Sequence, residues 1–124
     1  MEALTKSEEQ LMEIIWKQEK VFMKDLIDHL PSPKPAATTV ATLLKRMQDK
    51  NFVGYTVFGN SRQYYPLVKK EVYFSKHIKG IIKNYFGNSA LQFASFFTAN
   101  SNLTAEELED LKKLVDKELK KKKK

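Results

Sequence analysis

The sequence predicts a mainly α-helical fold with a small β-hairpin: a winged helix-turn-helix over residues 1–69, a C-terminal helical dimerisation domain over 70–119, and a disordered lysine tail over 120–124. Three observations predict it. Three segments with helical apolar spacing precede two Tyr/Phe/Val-rich runs separated by Gly59-Asn60-Ser61. Beyond Lys69 the pattern turns helical again, with five of the eight Phe in residues 74–97. The positive charge gathers where the third helix and the hairpin fall.

The elements follow in order. Thr5-Lys6-Ser7-Glu8 has capping-box spacing, so a helix is expected over about 6–18, with Leu11, Ile14, Ile15 and Trp16 on its apolar side. A short helix is expected over Val21–Leu30, ended by Pro31, Pro33 and Pro35. A third is expected over about Ala36–Lys50. Its Val40, Leu43, Leu44 and Met47 form one face; Thr38, Ala41, Thr42, Lys45 and Asp49 form the opposite one, flanked by Thr39 and Arg46. Asn51 suits a left-handed helix end. Strands are expected at Phe52–Phe58 and Arg62–Val68. Helices then follow over Val72–Phe86, Ala90–Thr98 and from Thr104 onward, separated by Gly87-Asn88-Ser89 and Ala99-Asn100-Ser101-Asn102.

Composition narrows the function classes. No apolar run approaches the roughly 18 residues of a membrane helix, and the acidic start is unlike a secretory signal, so a cytoplasmic protein is expected. The absence of cysteine excludes disulfides and thiolate metal sites. His29 and His77 lack metal-ligand spacing, and no phosphate loop or nucleophile–base constellation is present, so neither a cofactor nor an enzyme is expected. The net charge is +7, but Lys120–Lys124 supply five of those charges. Residues 34–83 hold ten Lys/Arg against Asp49 and Glu71, a net +8, whereas residues 1–30 and 84–119 each carry −3. A polyanion is drawn to the basic segment; a solvated basic face is the bland alternative. A helix with a polar Thr/Lys/Arg face beside a basic hairpin suits DNA, the helix in the major groove and the hairpin on the backbone. The C-terminal aromatic surface is too large for three short helices to bury alone. Ile78, Ile82, Tyr85, Phe93, Phe96, Phe97 and Leu111 are therefore expected at a homodimer interface, unless they pack back on the first domain.

Several segments together resemble the penicillinase and methicillin-resistance repressors, a family that includes copper-responsive repressors. These are LTKSEEQLMEIIW at 4–16, TTVATLLKRM at 38–47, RQYYPLV at 62–68 and LTAEELEDLKKL at 103–114. The resemblance spans nearly the whole chain. It implies a homodimer that binds inverted-repeat operators in double-stranded DNA and blocks transcription. In several members it also implies a membrane-bound sensor protease whose cut in the dimerisation domain frees the operator. Relatives that are cut have an Asn-Phe bond; here the nearest segment holds Ser95, Phe96 and Phe97, which either replace it or only pack the dimer. The copper-responsive branch uses a cysteine cluster that this chain lacks.

Thr38, Thr39 and Thr42 match family positions near the groove, where a hydroxyl can meet phosphate or a base edge and a methyl can meet thymine. Helix capping is the alternative for Thr38 and Thr39, and backbone bonding for Thr42. Lys45 suits phosphate. Arg46 matches a family arginine and either binds phosphate or ties its helix to a carboxylate such as Glu13. Ala41 departs from relatives with a basic residue there. Arg62 and Ser61 belong to the hairpin tip, and Lys34 precedes the third helix; all three could contact the backbone. Of Tyr64 and Tyr65, one faces the core. The competing function is a winged helix that binds another protein, with its basic face merely solvated.

Overall fold

The computed structural model describes residues 2–123. Helix α1 (Lys6–Gln18) starts where the chain itself supplies the caps: Thr5 Oγ1 accepts from the Glu8 amide at 3.2 Å, and Glu8 Oε1 accepts from the Thr5 amide at 2.8 Å. It ends in a tight reversal. Glu19 has φ 66° and the Lys20 amide donates to the Gln18 carbonyl at 2.7 Å, a γ-turn that a non-glycine residue adopts only under strain.

That reversal drops the chain into strand β1 (Val21–Phe22), followed by helix α2 (Met23–Asp28). A single helix from Val21 to Leu30 is therefore corrected at its start. Val21 and Phe22 pair antiparallel with Tyr64 and Gln63, so the ladder takes residues whose branched and aromatic side chains favour extended backbone. Helix α3 (Ala37–Asp49) follows the proline-rich turn, and Asn51 has φ 65°, as a left-handed helix end requires. Strands β2 (Val53–Phe58) and β3 (Ser61–Pro66) form a hairpin with Phe58 opposite Ser61. Its two-residue connection places Gly59 at φ 59°, open to glycine at little cost. The sheet order is β1-β3-β2.

Leu11, Met12 and Ile15 from α1, Leu26 from α2, Val40, Leu44 and Met47 from α3, and Phe52, Val53 and Tyr64 from the hairpin are all buried in one core. Trp16 packs against its margin and donates from Nε1 to the Val68 carbonyl at 2.7 Å, which confirms it as structural. Helix α4 (Lys70–Tyr85) contributes Tyr73, whose hydroxyl accepts from the Leu4 amide at 3.2 Å. The Tyr73 ring sits edge-on to Phe52, 5.4 Å between centroids. The first compact unit ends at His77 and the second begins at Ile78, so α4 contributes to both.

The second unit holds the end of α4, helix α5 (Ala90–Asn100) and helix α6 (Ala105–Lys122). Phe86 lies 5.5 Å from Phe93 and 5.4 Å from Phe96, centroid to centroid. The loop expected at Ala99–Asn102 is shorter, because α5 continues to Asn100 and the turn at Asn102 takes φ 49°. Lys120, Lys121 and Lys122 continue α6, where cations at a helix C-terminus complement its dipole; Lys124 lies outside the described residues.

One buried charge locks the first unit. Glu8 is fully buried, and Lys50, just past α3, donates to its Oε1 at 2.6 Å and to the Ala3 carbonyl at 3.2 Å. Burial opposes ionisation of Glu8, but the Lys50 ammonium and the Thr5 amide and hydroxyl outweigh it and hold the carboxyl below the usual carboxylate range. Oε2 has no hydrogen-bond partner, so the pair has no reserve. Lys50→Met is expected to cost roughly 3 kcal/mol in urea unfolding, and Glu8→Gln/Lys50→Met together less, because the single change strands a buried charge. A depressed folded pKa stabilises above the unfolded value. The wild type is therefore expected to lose this contribution as pH falls through the folded pKa of Glu8, and Glu8→Gln to lack that part of the acid dependence.

Candidate nucleic-acid interface

The roll of α3 decides what it offers to solvent. Burying Val40, Leu44 and Met47 turns Thr38, Thr39, Ala41, Thr42, Lys45 and Arg46 outward, and all six are exposed. The N-cap of α3 is Ala36, which offers no side-chain bond, so neither Thr38 nor Thr39 serves as its N-cap. Thr42 Oγ1 donates to the Thr38 carbonyl at 3.0 Å, a local bond that leaves the oxygen's lone pairs and the methyl outward. Lys45 pairs with Asp49 at 3.1 Å, an exposed i,i+4 bridge of little energy that phosphate can replace.

The alternative for Arg46 is not realised with Glu13, whose carboxylate pairs with Lys70 at 3.0 Å. Lys34 is committed elsewhere. Its Nζ donates to the carbonyls of Leu30 at 2.7 Å, Asp28 at 3.0 Å and Ile27 at 3.3 Å, closing the C-terminal end of α2.

The hairpin orders its own tip. Arg62 Cζ lies 4.3 Å from the Tyr55 ring centroid, a cation–π contact across β2 and β3. Tyr64 is core. Tyr65 faces the other side, with its ring so close to Gly54 that a Cβ there would stand 2.9 Å from it. Between hairpin and helix lies a cleft of about 350 Å³ lined by Phe22, Lys24, Ala41, Lys45, Gln48 and Arg62, with Met23, Asn60, Ser61 and Tyr64 completing it. It gathers Lys45, Ser61 and Arg62 of the expected residues. It does not include Lys34, Thr38, Thr39, Thr42 or Arg46. The small side chain of Ala41 leaves it open.

Lys24 and Gln48 were missed from sequence. Gln48 was detectable in principle, three residues beyond Lys45 on the same helix. Lys24 gave no local signal, because its place depends on β1 joining the sheet.

A polar-faced helix seated on a three-helix core, with a hairpin wing beside it, defines a winged-helix domain of the kind that binds DNA. The penicillinase repressor family profile matches residues 4–117, and the chain belongs to that family of DNA-binding transcriptional repressors. Among solved structures it is similar to the DNA-binding domain of the repressor BlaI, determined in solution. The identity is 22% and the TM-score 0.51, over 59% of this chain and 94% of that one, a likeness of fold. No curated protein matches significantly. Among the described residues, no helix is long and apolar enough to cross a membrane.

The Lys34 contacts make a structural prediction. Lys34→Met is expected to lower the unfolding free energy by about 1 kcal/mol, through the unsatisfied end of α2. Thr42→Val, which keeps the shape and loses an exposed hydroxyl, is expected to stay within about 0.5 kcal/mol of wild type; both are read by urea denaturation.

Proposed function

We propose that this repressor binds an inverted-repeat operator as a homodimer, α3 in the major groove and the β2–β3 wing on the flanking backbone, and that proteolysis in the second unit releases it. The observation that carries the DNA-binding mode is the convergence of Lys24, Lys45 and Arg62 on one cleft between helix and wing. Thr38, Thr39, Thr42 and Arg46 extend that surface along α3. Lys34 acts indirectly, by holding the turn before α3.

Dimerisation is supported by apolar surface that the second unit leaves uncovered. Among the described residues, no side chain of α5 or α6 is fully buried. Ile78, Tyr85, Phe96 and Phe97 are exposed, while Ile82, Phe93 and Leu111 are half-buried. Two copies related by a two-fold axis would bury this surface and present two α3 helices to matching half-sites.

Ser95, Phe96 and Phe97 lie within α5, so a protease must first unwind that helix to reach an extended strand. Its lack of deep burial makes local opening inexpensive. A membrane-bound sensor protease is the proposed source of the cut, and the masses of fragments from induced cells would locate the bond.

Selection of bound duplexes from a random pool at near-physiological salt tests the reading. One enriched inverted repeat is expected; salt-sensitive binding without enrichment would leave only a basic surface. On the selected operator, Thr42→Ala is expected to weaken binding by about 1 kcal/mol or more. Arg62→Ala is expected to weaken it and reduce the salt slope by about one. Retention of wild-type affinity in both would eliminate the groove mode. Phe96→Asp and Ile82→Asp are expected to weaken the dimer and the operator complex while the thermal unfolding of the first unit is retained.

A further inference from the structure

Helix α6 carries more apolar surface than its own chain covers. Leu111 and Leu114 face a cleft of about 300 Å³ with Phe97 and Leu103. Leu108, Val115 and Leu119 point elsewhere. At about 100° per residue they cluster on one side with Leu111 at its border, and they are 42%, 63% and 49% exposed. Leu108, Leu111 and Val115 follow the three-then-four spacing of a two-helix seam.

Charge is segregated along the same helix. Glu106, Glu107, Glu109 and Asp110 occupy its first two turns without a lysine; in its last two, Lys117, Lys120, Lys121 and Lys122 outnumber Asp116 and Glu118, the latter bridged to Lys121 at 3.3 Å. A parallel partner of the same sequence would set acids against acids and lysines against lysines. An antiparallel one sets acids against lysines at both ends and opposes the two helix dipoles.

We infer that α6 pairs antiparallel with α6 of a second copy, through Leu108, Leu111, Val115 and Leu119, its acidic start lying along the other copy's lysine-rich end. This rests on the homodimer proposed above and adds which helix meets which, and in what direction. Centred between Lys113 and Leu114, the pairing sets Leu108 opposite the second copy's Leu119 and Leu111 beside its Val115. Glu107 then lies near the second copy's Lys120 and Lys121. The lysines at the end of α6 thereby serve self-recognition, whatever they add to DNA attraction.

The chain has no cysteine, so single introduced thiols report on the pairing. Residues 108 and 119 are about 16 Å apart along a helix, whereas a disulfide needs Cα atoms within about 7 Å. In the full-length protein, Leu108→Cys and Leu119→Cys are each expected to cross-link poorly alone under mild oxidation, and efficiently when the two are refolded together. As a second readout, Lys120→Glu/Lys121→Glu and Glu106→Lys/Glu109→Lys, which spare the capping Glu107, are each expected to weaken self-association about tenfold; mixing them should restore it. Strong cross-linking of Leu108→Cys with itself would overturn the antiparallel arrangement. No cross-link in the mixture, with sedimentation still showing a dimer, would remove α6 from the interface. A chain that sediments as a monomer at micromolar concentration would refute the homodimer reading beneath it.

Discussion

The seating of α3 is the constraint on which the rest of the molecule depends. Val40, Leu44 and Met47 are inaccessible to solvent, and their common direction leaves the helix one favourable roll about its axis. A different roll would bury threonine hydroxyls or lysine charge without partners, at a cost of several kcal/mol. The outward row from Thr38 to Arg46 is thus a consequence of core packing. The wing depends on the same seat, because Phe52 enters the core directly after α3 and sets where β2 begins.

The Glu8–Lys50 pair adds a polar lock to that apolar seat. It joins the first turn of α1 to the residue just beyond α3, and the Lys50 ammonium also reaches the Ala3 carbonyl. Apolar side chains of similar volume could fill this space at least as stably. What the ion pair contributes is a directional contact that penalises a shifted α3. Tyr73 works alongside it, its hydroxyl bound to the Leu4 amide and its ring against Phe52. The short N-terminal segment is therefore held by partners from α3 and α4, distant in sequence.

The two units contrast in how they spend their apolar residues. The first closes its core within one chain, although Val57 and Phe58 of the wing and Leu67 and Val72 stay exposed. The second has aromatic contacts among Phe86, Phe93, Phe96 and Phe97, yet large apolar side chains on all three of its helices stay exposed. Exposed apolar groups in such number are the surface that the proposed dimer would cover. In the proposed dimer, a single cut or a change in concentration would then disassemble the unit.

Much of this protein was legible in the sequence because its strongest signals are local. Helical spacing located α1, α3 and α4, a capping box marked the start of α1, Thr104 that of α6, and Gly59-Asn60 the hairpin. The outward residues of α3 followed from periodicity alone, since burying one face determines the other. Tertiary structure decided what depends on residues distant in sequence. It turned Val21 and Phe22 into a strand because Tyr64 and Gln63 were there to pair with them, and it brought Lys24 to the cleft. It engaged Lys34 on the end of α2, drew Tyr73 into the first unit, and set Arg62 against Tyr55. A spacing rule sees neighbours along one element; hydrogen-bond partners and charge pairs between elements exist only once the core has formed.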